Sequence, residues 1–156
     1  MLSMAHIHLL INHVPILGSF FVLTLFIIAL VFKNGFLQKL SLWFLAAVAL
    51  STAVAYVSGD GTKRAVRGLP QVSDAAISLH EQAARYGLIF MFLVGVVSLG
   101  GIFFYRKQSI LPAYLRITVL VLLLISVAVM TYIGFLGGQI MHPEIRSLIT
   151  SPAAVL

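Results

Sequence analysis

The chain has 156 residues, of which 61% are hydrophobic and only 9% are charged, a composition that excludes an ordinary water-soluble domain. It contains no cysteine, which excludes disulfides, thiolate-bound clusters and the covalent attachment of c-type haem. We expect no nucleic-acid partner from the net charge of +6, because excess Lys and Arg in a membrane protein reflects basic cytoplasmic loops.

Four apolar runs each approach or exceed the roughly 20 residues that cross a bilayer core. The predicted spans are residues 14–32, 37–57, 84–105 and 113–141. Short connections make neighbouring spans antiparallel. The predicted fold is therefore an all-α integral membrane protein, an antiparallel four-helix bundle with residues 1–156 in a single transmembrane domain. The first run has no basic segment before it and no small-residue cleavage site after it, so we expect it to be retained rather than cleaved.

Helix boundaries follow from Asn, Gly and Pro, beginning with the first span. Asn12 is predicted to cap that helix and Pro15 to lie in its first turn, after a short interfacial segment over residues 3–11. The turn Lys33-Asn34-Gly35 ends the helix, and we predict a left-handed conformation at Gly35.

The later boundaries follow the same residue types. The sequence Ser58-Gly59-Asp60-Gly61 is predicted to break the second helix, and a long connection follows to about Val72. Ser73 or Asp74 then caps a third helix that begins near residue 74 and continues into the third span. Pro112 suits the start of the fourth helix.

All histidines and acidic residues lie at the same end of this bundle. Antiparallel threading brings the beginnings of odd spans and the ends of even spans to one membrane face. Neutral imidazole is a common metal ligand, and ionisable groups near membrane spans are usually functional. The predicted cofactor or metal ligands are His8, His13, His80 and His142. His6 is a weaker candidate because it is nearest the terminus and most exposed.

Small residues accompany two of these histidines at helical spacing, on the membrane side of His80 and of His142. A flat macrocycle bound by histidine needs such a slot beside the ligand's own helix. The alternative is helix packing, for which Gly-x-x-x-Gly is common in membrane proteins, and the sequence leaves both readings open. The candidate slot residues are Ala84, Gly87, Gly134 and Gly138.

Three carboxylates are candidates to accept the second N–H of a ligating imidazole, which would fix its tautomer. Adjacent helical residues diverge by about 100°, so Glu81 is expected to reach a histidine other than its neighbour His80. The alternative is that they are surface carboxylates, paired with Arg85 or Arg146, or a turn residue. The three candidates are Asp60, Glu81 and Glu144.

The distribution of charged residues predicts which side of the membrane each end of the bundle faces. Each end of the predicted bundle carries five Lys or Arg residues, and the four acidic residues all lie at the histidine end. The count of basic residues alone gives no preference, whereas the net charge favours the histidine-free end as cytoplasmic. We expect the histidines and both termini on the periplasmic side of a bacterial inner membrane.

Three motifs carry a resemblance to a known family. His8-Leu-Leu-Ile-Asn-His13-Val-Pro15 resembles the H-x(4)-H-x-P opening of an uncharacterised bacterial family of four-helix inner-membrane proteins, a domain of unknown function. His80-Glu81 at the head of the third helix is similar too, as is Gly137-Gly138 shortly before His142. The resemblance spans essentially the whole chain. It implies a membrane protein sometimes associated with redox partners such as cytochromes or Rieske proteins, and it supplies no established activity.

We predict from these residues a membrane-embedded b-type cytochrome with one or two haem b groups, a redox carrier rather than a stand-alone enzyme. Electrons would pass between a periplasmic cytochrome or Rieske-type protein and another membrane component, with quinone as a candidate partner. His13 with His80, or His80 with His142, are both compatible axial pairs. The alternatives are a Zn or Cu site of three or four histidines, and a cofactor-free small subunit of a larger membrane complex.

Overall fold

The computed structural model describes residues 3–150, and within that range the chain is helical without strands. Its helices are α1 (Met4–Ile11), α2 (His13–Val31), α3 (Gly35–Val66), α4 (Asp74–Phe104), α5 (Ala113–Met141) and α6 (Pro143–Thr150). Each long helix contacts the next along the chain, and α5 contacts α2, so α2 to α5 form a closed square bundle. This confirms the predicted all-α four-helix architecture.

The two short helices lie at the end of the bundle where the histidines are. The α1 helix packs mainly on α3, and α6 contacts the end of α5. Pro15 separates α1 from α2, because it has no N–H to donate and its ring blocks the carbonyl of Ile11 four residues earlier. The prediction that Asn12 is an N-cap is wrong, since its backbone is helical, at φ −60° and ψ −25°. An N-cap requires an extended backbone.

The turn between α2 and α3 differs from the sequence prediction. The residue with positive φ is Lys33, at 49°, and Gly35 is instead the first residue of α3. Asn34 caps that helix, because its Oδ1 accepts a hydrogen bond from the Leu37 N–H at 3.0 Å. Gly35 has a different role: the main-chain oxygen of Ser109 lies where a Cβ would be.

The predicted break at residues 58–61 is wrong, because α3 continues through them to Val66. A glycine costs a helix only about 1 kcal/mol relative to alanine, which tertiary contacts easily outweigh. Here α1 supplies those contacts: Met4 lies in the space that a Cβ at Gly61 would need, and the ring of His8 is in van der Waals contact with the Cβ position of Gly59. The second long helix therefore projects well beyond its predicted span.

The boundaries of α4 and α5 agree with the sequence. Ser73 caps α4, its Oγ accepting from the Ala76 N–H at 3.2 Å, and the helix runs unbroken from Asp74 to Phe104. Pro112 precedes the first residue of α5. The connection between α3 and α4 turns at Gly68, whose φ of +92° suits glycine.

The bundle core is apolar, with hydroxyl groups that are satisfied inside their own helices. Ser19, Ser98 and Ser126 are fully buried, and each donates to the main-chain oxygen four residues earlier, at 2.6–2.8 Å. No helix therefore depends on water for these groups. The largest fully buried apolar side chains are Phe26, Leu42, Leu45, Met91, Leu111 and Leu123.

The end of the bundle without histidines is closed. Gln38 is fully buried, where its Oε1 accepts the Leu111 N–H at 3.1 Å and its Nε2 donates to the Ala29 oxygen at 3.5 Å. Lys39 donates to the Arg106 oxygen at 3.1 Å. These contacts tie the α4–α5 connection to α3, and the opposite end is where the interior opens.

Four helical stretches are long and apolar enough to cross a membrane: Met4–Val31, Gly35–Val66, Asp74–Phe104 and Ala113–Met141. Their outward faces carry large apolar side chains, of which Phe32 and Phe104 are each 75% exposed. Contiguous apolar surface of this extent is unusual on a soluble monomer. The surface is compatible with a lipid bilayer.

Candidate functional site

A cavity of about 580 Å³ opens at the histidine end, between α1, α2, α3, α4 and α5. All four histidines predicted as ligands line it. The cavity lining includes apolar side chains from three helices, among them Ile16, Ile77 and Met130. Segments far apart in sequence thus meet at one end of the bundle, and the role of the histidines as ligands stays a prediction. The histidines are His8, His13, His80 and His142.

His8 projects from α1 onto α3 and is partly buried. Its Nδ1 lies 2.8 Å from the main-chain oxygen of Ala55 and 3.3 Å from Ser58 Oγ. A carbonyl oxygen can only accept, so Nδ1 carries the proton and donates it to Ala55. The ring lies beside Gly59, where an added Cβ would be 3.6 Å from His8 Cε1.

His80 projects from α4 onto α5 and is also partly buried. Its Nδ1 lies 3.1 Å from the main-chain oxygen of Ile133, so this nitrogen again is the donor. The ring lies beside Gly137, where a Cβ would be 3.2 Å from Cε1 and 3.4 Å from Nδ1. That distance is tighter than ordinary contact, and glycine is what allows the imidazole to reach the carbonyl.

His142 follows α5 and is 57% exposed at the rim of the cavity. Its Nδ1 lies 2.7 Å from Glu144 Oε1, which is the hydrogen bond that the sequence predicted for this pair. The Glu144 main-chain N–H and the His142 imidazole hold the pKa of the Glu144 carboxyl below its usual range. The carboxylate is therefore charged at neutral pH and accepts from His142.

The other two histidines are less constrained. His13 is exposed in the first turn of α2, and it lines the edge of the cavity. His6 is exposed on α1 outside the cavity lining, with its Nδ1 2.6 Å from Ser3 Oγ. The order of exposure matches the sequence analysis, in which His6 was the weakest candidate.

The four candidate slot residues divide between the two readings that the sequence left open. Gly138 lines the cavity, and a Cβ there would meet nothing within 4 Å, so it borders open space; Ala84 also lines the cavity. Gly134 lines it too, yet its Cβ position is 2.6 Å from Ile16 Cδ1 of α2. Gly87 lies outside the lining and is buried against Ile133. Gly134 and Gly87 therefore serve helix packing.

Of the remaining two candidate carboxylates, Glu81 pairs with a lysine. Glu81 Oε2 lies 2.5 Å from Lys63 Nζ, which joins α4 to the end of α3 at the wall of the cavity. Asp60 is exposed on the cavity rim, and its main-chain oxygen accepts from Arg64 Nε at 3.3 Å. The predicted role of both as partners of ligating imidazoles has no hydrogen bond in its support among residues 3–150.

Two polar atoms in the cavity wall are buried without a hydrogen-bond partner among the described residues: Asn12 Oδ1 and Thr62 Oγ1. A buried polar atom left unpaired costs about 1–3 kcal/mol, so such atoms usually meet water or a ligand. The cavity therefore has apolar walls with a few polar atoms and imidazoles, as small-molecule sites do.

No group of three or more His, Asp or Glu side chains in residues 3–150 is arranged to hold a metal ion by itself. The Zn or Cu alternative requires three or four imidazoles around one ion.

Sequence reasoning missed the two glycines on which imidazoles rest. Gly59 was taken for a helix break, and Gly137 was part of a motif without a stated role. Each lies four residues after the carbonyl that its histidine binds, Ala55 or Ile133. A main-chain carbonyl has no sequence signature, so only the tertiary contact identifies this arrangement.

Comparison with known proteins gives no relative from which to infer a function: no family model, curated protein or solved structure matches the chain.

Proposed function

We propose that the protein is a membrane-embedded b-type haem protein that transfers electrons, with haem bound in the histidine-lined cavity. The observation that carries the proposal is the hydrogen bonding of two cavity imidazoles. In His8 and His80 the Nδ1 atom donates to a main-chain oxygen of a neighbouring helix. A neutral imidazole has one N–H, so Nε2 holds the free electron pair in each ring. Metal-ligating histidines have this arrangement.

The cavity has the size and chemistry of a cofactor site. Its volume of about 580 Å³ lies within the about 300–1,000 Å³ of typical ligand pockets. A porphyrin supplies the equatorial nitrogens of iron, so the protein needs to provide only one or two imidazoles. Apolar walls suit the macrocycle, and open space at Gly138 borders its plane.

Haem iron, when bound, supplies reversible one-electron chemistry. The contribution of this chain is to orient the imidazoles and to surround them with apolar side chains. Hydrogen bonds from Nδ1 to main-chain oxygens make His8 and His80 more basic, which favours the oxidised metal, whereas burial favours the state of lower charge.

The spacing of tyrosines supports a position for the cavity near one surface of a bilayer. Tyr86 on α4 and Tyr105 directly after it are nineteen residues apart, or about 28 Å, and Tyr114 and Tyr132 on α5 are about 27 Å apart. Tyr86, Tyr114 and Tyr132 are each more than half exposed. Tyrosine favours the two membrane interfaces, and these spacings match a hydrocarbon core of about 30 Å. His80 precedes Tyr86 by six residues on α4, so it lies on the aqueous side of this tyrosine, at the level of the lipid headgroups.

This placement supports electron exchange with a partner in the aqueous phase. A cavity at headgroup level is accessible to a periplasmic cytochrome or Rieske-type protein, while a quinone would approach it from the lipid. The proposed location is the bacterial inner membrane with both termini periplasmic. The resemblance noted in the sequence implies the same compartment.

Orientation is testable because the chain has no cysteine of its own. Gln71 lies exposed at the histidine end and Gln108 at the opposite end. We expect Gln71→Cys to react with a membrane-impermeant maleimide in spheroplasts, and Gln108→Cys to react only after the membrane is permeabilised. The reverse pattern would place the cavity on the cytoplasmic side. Labelling of both in intact spheroplasts would contradict the four-span topology.

The cofactor is tested with full-length protein purified in detergent from haem-replete bacteria. We expect the sharp reduced-minus-oxidised bands of low-spin haem b, and a pyridine haemochrome assay should give about one haem per chain or more. Protein that lost its haem is checked by titration with hemin. A colourless sample with stoichiometric zinc or copper would select the metal alternative. A sample that holds neither and does not bind hemin would select the subunit alternative.

A further inference from the structure

Two of the cavity histidines are held by the same arrangement of contacts. His8 of α1 donates Nδ1–H to the Ala55 oxygen of α3, and its ring lies on Gly59 one turn later. His80 of α4 donates Nδ1–H to the Ile133 oxygen of α5, and its ring lies on Gly137 one turn later. In both cases an imidazole from one helix rests on a neighbouring helix, with its tautomer fixed by a main-chain carbonyl.

This arrangement also determines the position of Nε2, the second nitrogen of each ring. At Gly137 the hypothetical Cβ would be 3.2 Å from Cε1 and 3.9 Å from Nε2 of His80. At Gly59 only Cε1 and Nδ1 of His8 come within 4 Å, at 3.6 and 3.8 Å. The Nε2 atom of each ring is therefore the ring nitrogen farther from its supporting glycine. Both histidines line the same cavity, so this nitrogen is the one available for a ligand there.

The supporting helices lie on opposite sides of the bundle. Helix contacts run in the order α2, α3, α4, α5 and back to α2, which puts α3 and α5 at diagonal corners. His8 and His80 nevertheless line the same cavity. Two imidazoles that reach one cavity from diagonal supports would hold a planar macrocycle between them.

His13 and His142 lack this support. His13 is exposed at the cavity edge, and His142 is 57% exposed, with a 66% exposed Glu144 as its acceptor. A surface carboxylate has more rotational freedom than a main-chain carbonyl within a helix, so it fixes the position of an imidazole less well. A ligand that must be held within about 0.5 Å of its productive position is better placed on rigid elements.

We propose that His8 and His80 are the axial pair of a single haem, each oriented by the main-chain oxygen that its Nδ1 atom binds. The proposal rests on the proposed function and narrows it. It replaces the pairings that the sequence left open with one that includes α1, and it assigns α1 a role as the carrier of a ligand. His13 and His142 then lie at the rim, where they meet solvent.

The cofactor-free protein gives a test that needs no haem. In protein labelled with ¹⁵N-histidine, two-bond correlations distinguish the two neutral tautomers of each ring. For the neutral rings, we expect the Nδ1–H tautomer in His8 and His80, because each Nδ1 faces a main-chain oxygen, and both tautomers in the exposed His13. Assignment uses the single His→Ala variants. An Nε2–H tautomer at His8 or His80 would overturn the proposal, whatever the protein binds.

The haem-loaded protein tests the pair itself. We expect His8→Ala and His80→Ala each to lose the low-spin spectrum and to weaken hemin binding at least tenfold. Free imidazole should restore the low-spin bands in both. The matched variants His13→Ala and His142→Ala remove an imidazole from the same cavity, and they should keep the wild-type spectrum.

The outcomes separate this inference from the proposed function. Wild-type protein without low-spin haem overturns the proposed function. Low-spin haem in the wild type that survives His8→Ala, or that is lost in His13→Ala or His142→Ala, overturns only the pairing. If His80→Ala does not fold, His80→Met retains an axial ligand, and a raised midpoint potential with retained low-spin bands supports the assignment. An unchanged potential contradicts it.

Discussion

Replacement of Gly138 by leucine is expected to weaken hemin binding at least tenfold while the bundle unfolds at an unchanged temperature. Gly138 lines the cavity, and a Cβ there would meet no protein atom within 4 Å. A leucine side chain can therefore occupy the cavity without displacing a helix, and it removes the space that a macrocycle needs. Hemin titration and thermal unfolding followed by circular dichroism in detergent measure the two effects.

Gly134→Leu is the matched control for this prediction, since it adds the same side chain one turn earlier on α5. Its Cβ would lie 2.6 Å from Ile16 Cδ1, so Ile16 must move aside and the leucine side chain overpacks the contact between α5 and α2. Overpacking of this kind typically costs about 1–3 kcal/mol. We expect a clearly lower unfolding temperature for Gly134→Leu. Equal destabilisation by both substitutions, or tight hemin binding by Gly138→Leu, would contradict the assignment of open space to Gly138.

The spacing of Gly134 and Gly138 does not by itself reveal what either glycine does. Gly134-x-x-x-Gly138 fits both helix packing and a cofactor slot, and its spacing alone does not distinguish them. In the structure the two glycines have different surroundings, because only Gly134 faces the isoleucine of a neighbouring helix. The identity of the opposing side chain is a tertiary property, so the motif left the question open.

The features that sequence predicted correctly are those that depend on local patterns. Apolar runs and capping residues gave the four helices, including the early start of α4 at Asp74 and of α5 at Ala113. Antiparallel threading then required the histidines to meet at one end. Their position around one cavity follows from topology, without knowledge of any contact.

The features that sequence missed depend on contacts between distant segments. Gly59 stays helical because α1 covers it, and nothing in residues 58–61 encodes that cover. Glu81 pairs with Lys63 across the α3–α4 contact, which the sequence did not single out among several nearby cations. The pairing of His8 with a main-chain oxygen is invisible in the same way. Local propensity is a weak prior when packing decides.

The closed end of the bundle makes the second strong prediction, since Gly35→Ala is expected to destabilise the protein at or above the upper end of about 1–3 kcal/mol. The Ser109 main-chain oxygen lies where the added methyl group would be. A backbone atom cannot rotate away as a side chain can, so the α4–α5 connection must move. That movement strains the nearby hydrogen bond from the Leu111 N–H to Gln38 and leaves buried polar groups poorly paired.

Helix propensity alone predicts the opposite result, because alanine stabilises the interior of a helix by about 1 kcal/mol relative to glycine. A loss of stability in Gly35→Ala therefore reports the clash with Ser109. Gly100→Ala is the matched control on α4: a Cβ there meets nothing within 4 Å, so we expect equal or slightly higher stability. Unfolding in detergent, followed by circular dichroism, compares the two variants with the wild type.

Hemin affinity, measured on the folded fraction, should be unchanged in both, because Gly35 lies at the opposite end of α3 from the cavity. A Gly35→Ala variant as stable as Gly100→Ala would show that the Ser109 connection yields freely. The closed end would then not be the rigid base that holds the histidine helices in place.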